Sequence, residues 1–151
     1  MFKGYTGEFH NSLDAKGRVS VPPAFRDVLG SHFWIGCGLD PKCLVIYSDE
    51  EWAAFCERLK ALPGNSEKAR DIIRYFASGT REVELDKQGR ILLPLQLRQA
   101  AGISKDCVFA GAIGRAELWS EEAYSEYHTT SLTADRINAA AEELRDMGFT
   151  F

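Results

Sequence analysis

No apolar run in the chain approaches the roughly 18 residues that a membrane-spanning helix needs. Its N-terminal stretch has no apolar signal core either, so neither a span nor export is expected and a cytoplasmic protein is. Cysteine is sparse: Cys37, Cys43, Cys56 and Cys107 form no CxxC pair and fall in apolar runs or on a helix stripe. Reduced, buried thiols are the expectation. His10, His32 and His128 share no metal-ligand spacing, and no Gly-x-Ser-x-Gly elbow, phosphate loop or spaced Cys/His pair occurs. No catalytic residue, metal, cofactor or small-molecule substrate is therefore expected. Cations are also in deficit, 18 Lys and Arg against 22 Asp and Glu, a net charge of −4 that argues at first against nucleic acid.

What the chain does contain is a repeat. Leu13-Asp14-Ala15-Lys16-Gly17-Arg18-Val19-Ser20-Val21-Pro22 returns as Leu85-Asp86-Lys87-Gln88-Gly89-Arg90-Ile91-Leu92-Leu93-Pro94, 72 residues later. Gly7 and Gly79, Arg26 and Arg98, Gly30 and Gly102, Ser48 and Ser120, and Glu50 and Glu122 match at the same offset. Each copy reads as a strand, a tight turn, a second strand and a short helix ended by a glycine cap. Asp14 and Asp86 suit the first position of a type I turn, and Gly17 and Gly89 the left-handed position after it. Val19 and Val21 alternate with Ser20, whereas Leu92 is apolar between Ile91 and Leu93, so the second hairpin should be the more buried. Beyond the hairpins, 33–38 with 43–47 and 108–113 with 116–119 read as strand pairs. Ser48 to Glu51 forms a capping box before a helix with Trp52, Phe55, Leu59 and Leu62 on one stripe. Trp34, Trp119 and Tyr47 likewise read as packing residues.

Charge is unevenly placed. In residues 1–30, Lys3, Lys16, Arg18 and Arg26 outnumber Glu8, Asp14 and Asp27. In residues 80–102, Arg81, Lys87, Arg90 and Arg98 outnumber Glu82, Glu84 and Asp86. Residues 117–146 hold eight acids against Arg136 and Arg145. A basic hairpin face on an acidic protein is thus permitted. With 151 residues, 45% of them hydrophobic, the chain can bury a core as one domain or as two small fused halves.

The wording Leu-Asp-x-x-Gly-Arg-[Val/Ile]-x-[Val/Leu]-Pro, followed by an Arg-containing helix and Gly, resembles the AbrB-like superfamily of swapped-hairpin DNA-binding proteins. Two copies, each with Asp-x-x-x-Arg, and the start Met-Phe-Lys-Gly resemble the MraZ family of transcriptional regulators within it. The resemblance implies a β-rich α+β fold: a duplicated double-split β-barrel with flanking helices, whose two internal repeats pack as a pseudo-dimer. On that reading residues 5–62 form the first repeat, 63–76 a connecting helix, 77–128 the second repeat and 129–151 a C-terminal helix and tail. The resemblance further implies a nucleoid-associated homo-oligomer, a ring, bound to direct repeats of double-stranded DNA in the promoter of the bacterial cell-division and cell-wall gene cluster.

Lys3, Lys16, Arg18, Lys87 and Arg90 are then the DNA-contacting residues, and Asp14, Gly17, Asp86 and Gly89 the structural residues of the turns. The basic residue moves from Lys16 to Lys87 between repeats, with Gln88 in the place of Lys16, so the two copies need not act alike. Three other readings remain open on sequence. One is an antitoxin that also masks a toxin, a second an enzyme using Asp14 and Asp86 as a carboxylate pair, and a third a structural scaffold with Arg18 and Arg90 in subunit contacts.

Overall fold

The computed structural model describes residues 2–151, so Met1 of the Met-Phe-Lys-Gly start lies outside them. Residues 2–121 form one compact unit and residues 122–151 a second. The fold is α+β, with eight strands and six helices among the described residues. The first repeat runs β1 (Glu8–Ser12), β2 (Arg18–Ser20), α1 (Pro23–Leu29), β3 (His32–Cys37), β4 (Cys43–Ser48) and α2 (Asp49–Lys60). After α3 (Glu67–Gly79) the second runs β5 (Arg81–Glu84), β6 (Arg90–Leu92), α4 (Leu95–Ala101), β7 (Asp106–Gly111), β8 (Ala116–Ser120) and α5 (Glu121–Thr130). A last helix, α6, spans Ala134–Asp146.

The local signals act as their chemistry dictates. Ser48 accepts from the Glu51 amide while the Glu51 carboxylate accepts from the Ser48 amide, so two orphan donors at the start of α2 are satisfied together. Ser66 caps α3 by accepting from the Ala69 amide alone, since Ala69 has no carboxylate to return the bond. Gly30 and Gly102 end α1 and α4 at φ of 78° and 68°, a region costly for residues with a Cβ. The stripe on α2 meets the sheet through stacked rings, Trp52 on Trp34 and Phe55 on Tyr47, with Phe76 of α3 edge-on to Phe55.

Strand pairing departs from the hairpin reading. β1 does not pair with β2; it runs antiparallel to β7 of the other repeat, with Glu8 opposite Ala110 and Ser12 opposite Asp106. β5 does the same with β3. The six-stranded sheet has the order β1-β7-β8-β4-β3-β5, open at its two edges, and it reads the same from either end when each strand is replaced by its counterpart. β2 and β6 leave this sheet and form a separate two-stranded ribbon. The turn between β1 and β2 is as tight as expected, but it carries the chain from one sheet to the other.

The ribbon also corrects the expected difference in burial. Val19 and Ile91 face each other inward, each 1% exposed, whereas Leu92 points outward at 61%. β2 and β6 share one burial pattern. Cys43 and Cys107 are buried as expected, but Cys37 and Cys56 are only half-buried; all four thiols are free.

The core draws on both repeats. Phe25 of α1 is at its centre, edge-on to Tyr5 and Phe9 at 5.4 and 5.3 Å and to Phe109 of β7 at 6.5 Å. Leu97 and Ala101 supply the matching layer from α4. Removing a ring from such a site costs its transfer free energy plus a cavity term. Phe25→Ala is expected to lower the unfolding free energy by about 3–5 kcal/mol in a urea titration, with the transition still cooperative.

Candidate nucleic-acid interface

The β2–β6 ribbon and its turns gather four of the five predicted DNA-contacting residues, Lys16, Arg18, Lys87 and Arg90. Its register sets Arg18 opposite Leu92 and Ser20 opposite Arg90. With Val19 and Ile91 inward, these four side chains form the outward face. Because the strands are antiparallel, the turn 14–17 lies at one end of the ribbon and the turn 86–89 at the other. Lys16 and Lys87, both exposed, stand on these turns. A single two-stranded element thus carries Arg18 and Arg90 along its length and a lysine at each end.

Each turn is built around its aspartate. Asp14 Oδ1 accepts from the amides of Lys16 and Arg18 at 2.9 Å each, and Oδ2 accepts from Arg18 Nε at 2.8 Å. Asp86 repeats the arrangement with the amides of Gln88 and Arg90 and with Arg90 Nε. Hydrogen bonds donated to the ionised form favour it. The Arg18 amide is the main cause that holds Asp14 at a pKa of about 2, below the usual 3.8, and the Arg90 amide lowers Asp86 in the same direction. A general acid needs the opposite shift, so these carboxylates are suited to shaping turns rather than to donating protons.

The glycines are held on two grounds. Gly17 and Gly89 have φ of 85° and 74°, and their carbonyls accept from the amides of Leu93 and Val21 on the facing strand. A Cβ on Gly17 would also stand 2.8 Å from Arg98 Nη1, and one on Gly89 would meet the guanidinium of Arg26. Each arginine reaches from the helix of one repeat to the turn of the other. Their Nε atoms are buried with no hydrogen-bond partner among the described residues. The sequence reading counted Arg26 and Arg98 among the basic residues and matched them at the repeat offset, as part of an Arg-containing helix after the proline, but gave them no place against the turns.

The two arginines of the ribbon differ. Arg90 is tied to Asp86 at 2.9 Å, lies 3.6 Å from Asp14, and donates through Nη2 to Gln88 Oε1 at 3.0 Å. Arg18 is held only through Nε, and its Nη groups make no hydrogen bond among the described residues. Lys16 occupies the place of Gln88 in the first turn and has no acceptor to offer. Lys3 is elsewhere: Tyr5 bridges to Ile113 beyond β7, which puts the exposed Lys3 at the end of β1 away from the turn.

The family described as "MraZ protein, putative antitoxin-like" matches residues 5–75 and again 76–147. The chain belongs to the MraZ family. The curated MraZ proteins that it resembles include one from Lachnoclostridium phytofermentans, 46% identical over 147 residues, which cover 97% of this chain and 99% of the relative. A second, from Clostridium beijerinckii, is 45% identical over 144 residues, covering 95% and 99%. Both are named "Transcriptional regulator MraZ". Either match of the MraZ family contains one Asp-x-x-x-Arg turn, with Asp14 and Arg18 in the first and Asp86 and Arg90 in the second.

Two measurements follow from the turn geometry. Gly30 has positive φ but open space around its Cβ position, so Gly30→Ala carries backbone strain alone, about 1–3 kcal/mol. Gly17→Ala adds the clash with Arg98 and should lower the melting temperature further, with part of the loss recovered in the Gly17→Ala, Arg98→Ala double variant. The depressed Asp14 pKa sets an acid limb. Its contribution is complete above pH 3.8 and is lost as pH falls towards 2, so Asp14→Asn should flatten the stability profile between those values.

Proposed function

We propose that the chain is a sequence-specific DNA-binding transcriptional regulator, and that its β2–β6 ribbon is the surface that meets DNA. The observation that carries this reading is the outward face of the ribbon, where Arg18 and Arg90 lie between two lysine-bearing turns. The major groove of B-DNA is about 12 Å wide and admits a two-stranded β-ribbon. Phosphates on either side of such a ribbon lie towards its ends, within the reach of Lys16 and Lys87, while Arg18 faces the base edges or an inner phosphate. Arg18 is the principal contact because its Nη groups are uncommitted; Arg90, restrained by three neighbours, is secondary. Lys3 would touch phosphate outside the footprint of the ribbon. That relatives are named transcriptional regulators supports the reading.

The finer reading has the two repeats packed as a pseudo-dimer in a double-split β-barrel, and several chains assembled in a ring on direct repeats. Those repeats lie in the promoter of the bacterial cell-division and cell-wall gene cluster, with the protein in the cytoplasm on the nucleoid. Valency is the physical reason for the assembly. One ribbon offers about four cations, and linking subunits over spaced boxes makes later contacts intramolecular, which raises affinity without new contacts.

Binding to a labelled fragment of the promoter upstream of its own gene, beside random DNA, tests the proposal. Log affinity should fall with log salt with a slope of about −0.9 for each phosphate engaged, or roughly −3 to −4 per chain. Arg18→Ala should cost about 1–3 kcal/mol per engaged chain with the fold retained. Inserting about five base pairs between boxes turns one face away and should weaken binding nearly as much as deleting a box, with partial recovery after a full turn of about ten. Salt-independent binding would remove the phosphate contacts, and equal affinity for all phasings would remove the multivalent part.

A further inference from the structure

Leu92 stands on the outward face of the ribbon, 61% exposed among cations. Its arginine neighbours lie lower. Arg18 and Arg90 are half-buried, drawn onto Asp14 and Asp86, whereas Leu92 and Ser20 are the exposed residues of that face. Leu92 is directly opposite Arg18, and the Leu93 amide donates to the Gly17 carbonyl, which sets this pair beside the turn that carries Lys16. Side chains facing each other in this way have Cβ atoms about 4.5–5.5 Å apart.

Leu92 is also where the ribbon breaks its own symmetry. The repeat offset of 72 residues relates Arg18 to Arg90 but Leu92 to Ser20. A face of two arginines and two serines would look the same in either direction along a groove. One with a leucine beside Arg18 and a serine beside Arg90 does not. A leucine finds few partners on DNA. Against phosphate it would strip water from a charge and return no hydrogen bond. Base edges in the major groove present donors and acceptors, with one apolar exception, the C5-methyl group of thymine. Base pairs stack about 3.4 Å apart, so an arginine and a leucine facing each other across the ribbon reach neighbouring base pairs.

We propose that Leu92 is a base-reading residue whose side chain packs on the methyl group of a thymine, next to the base pair that Arg18 contacts. Arg18, whose Nη groups make no hydrogen bond among the described residues, suits the O6 and N7 acceptors of guanine. Together the two side chains read neighbouring base pairs of different kinds, which gives each ribbon a direction on the DNA. The inference deepens the proposed function and rests on the ribbon as the DNA-facing surface.

Replacing a thymine by deoxyuridine removes the methyl group and keeps the base pairing. The test measures the affinity of the full chain for the promoter fragment upstream of its own gene, at one fixed salt concentration, with each thymine of the footprint replaced in turn. At one position the replacement should weaken binding about fourfold, the worth of one buried methyl-sized group. Leu92→Ser and Leu92→Ala should bind the unmodified fragment less well by a similar factor and no longer distinguish thymine from deoxyuridine. Both variants should keep the melting temperature, because the side chain is exposed. Arg18→Ala should weaken binding to both fragments and retain the difference between them. A footprint without a sensitive thymine overturns the proposal, as does a sensitivity that persists in both Leu92 variants. In either case weakened binding by Arg18→Ala leaves the ribbon as the DNA surface, whereas full binding by Arg18→Ala removes that surface and the role of Leu92 with it.

Discussion

The structure depends on the backbone hydrogen bonds that neither repeat can complete alone. β3 has β4 on one side from its own repeat and β5 on the other from its counterpart; β7 has β8 and β1 in the same relation. An unpaired strand edge facing the core would leave amides and carbonyls without partners, at a cost comparable to a lost hydrogen bond for each. Lending the first strand to the other repeat removes that cost at both sites. It also determines what happens at the turn. With β1 paired to β7 of the other repeat, β2 does not fold back on β1, and among the described residues its strand partner is β6. A ribbon of three residues per strand is marginal by itself. It persists here because Val19, Val21, Ile91 and Leu93 are all nearly fully buried beneath it, and because Arg26 and Arg98 fill the space against the two turn glycines.

That scaffold is symmetric, but its chemistry is not. The repeat places Lys16 and Gln88 at equivalent positions, and the difference decides how free the neighbouring arginine is. A glutamine can accept a hydrogen bond from a guanidinium, and Gln88 does so from Arg90. A lysine cannot accept, and its charge keeps the local potential positive around Arg18. Arg90 also lies near two carboxylates, whereas Arg18 engages one. The first repeat therefore presents the more available guanidinium, even though both turns have the same backbone. The basic charge that Lys87 restores to the second turn sits one residue earlier, where it adds to the surface without releasing Arg90.

Those features whose cause is local were legible in the sequence. Asp14 with Gly17, the Ser48 capping box, the glycines that end α1 and α4, and the aromatic stripe on α2 all depend on residues within a few positions of one another. The repeat length and the correspondence of the elements were legible as well. Strand partners were not, because alternation shows which face of a strand is buried and is silent on which strand lies beside it. Leu92 shows the limit of pattern: an apolar residue in an apolar run reads as core, yet the register of the ribbon forces it outward between two inward neighbours. Arg26 and Arg98 were visible as matched positions and as local positive charge, but nothing local to a helix says that its arginine meets a turn 63 or 81 residues away in the chain.

Charge placement links the scaffold to its surroundings. Residues 122–151 carry six acids and two arginines, which accounts for the whole net charge of −4, so residues 1–121 are neutral as a set. A neutral body can hold a small basic ribbon whose potential is not cancelled by its own average charge. At physiological ionic strength the Debye length is about 8 Å, so acids farther than that from the ribbon scarcely weaken it. The same acids have a second consequence. A segment that is acidic is repelled by DNA, so residues 122–151 are the part of the chain least suited to face it. The negative composition that first argued against nucleic acid is thus compatible with a DNA-facing ribbon, because sign matters over the distance that salt leaves unscreened and not over the molecule as a whole.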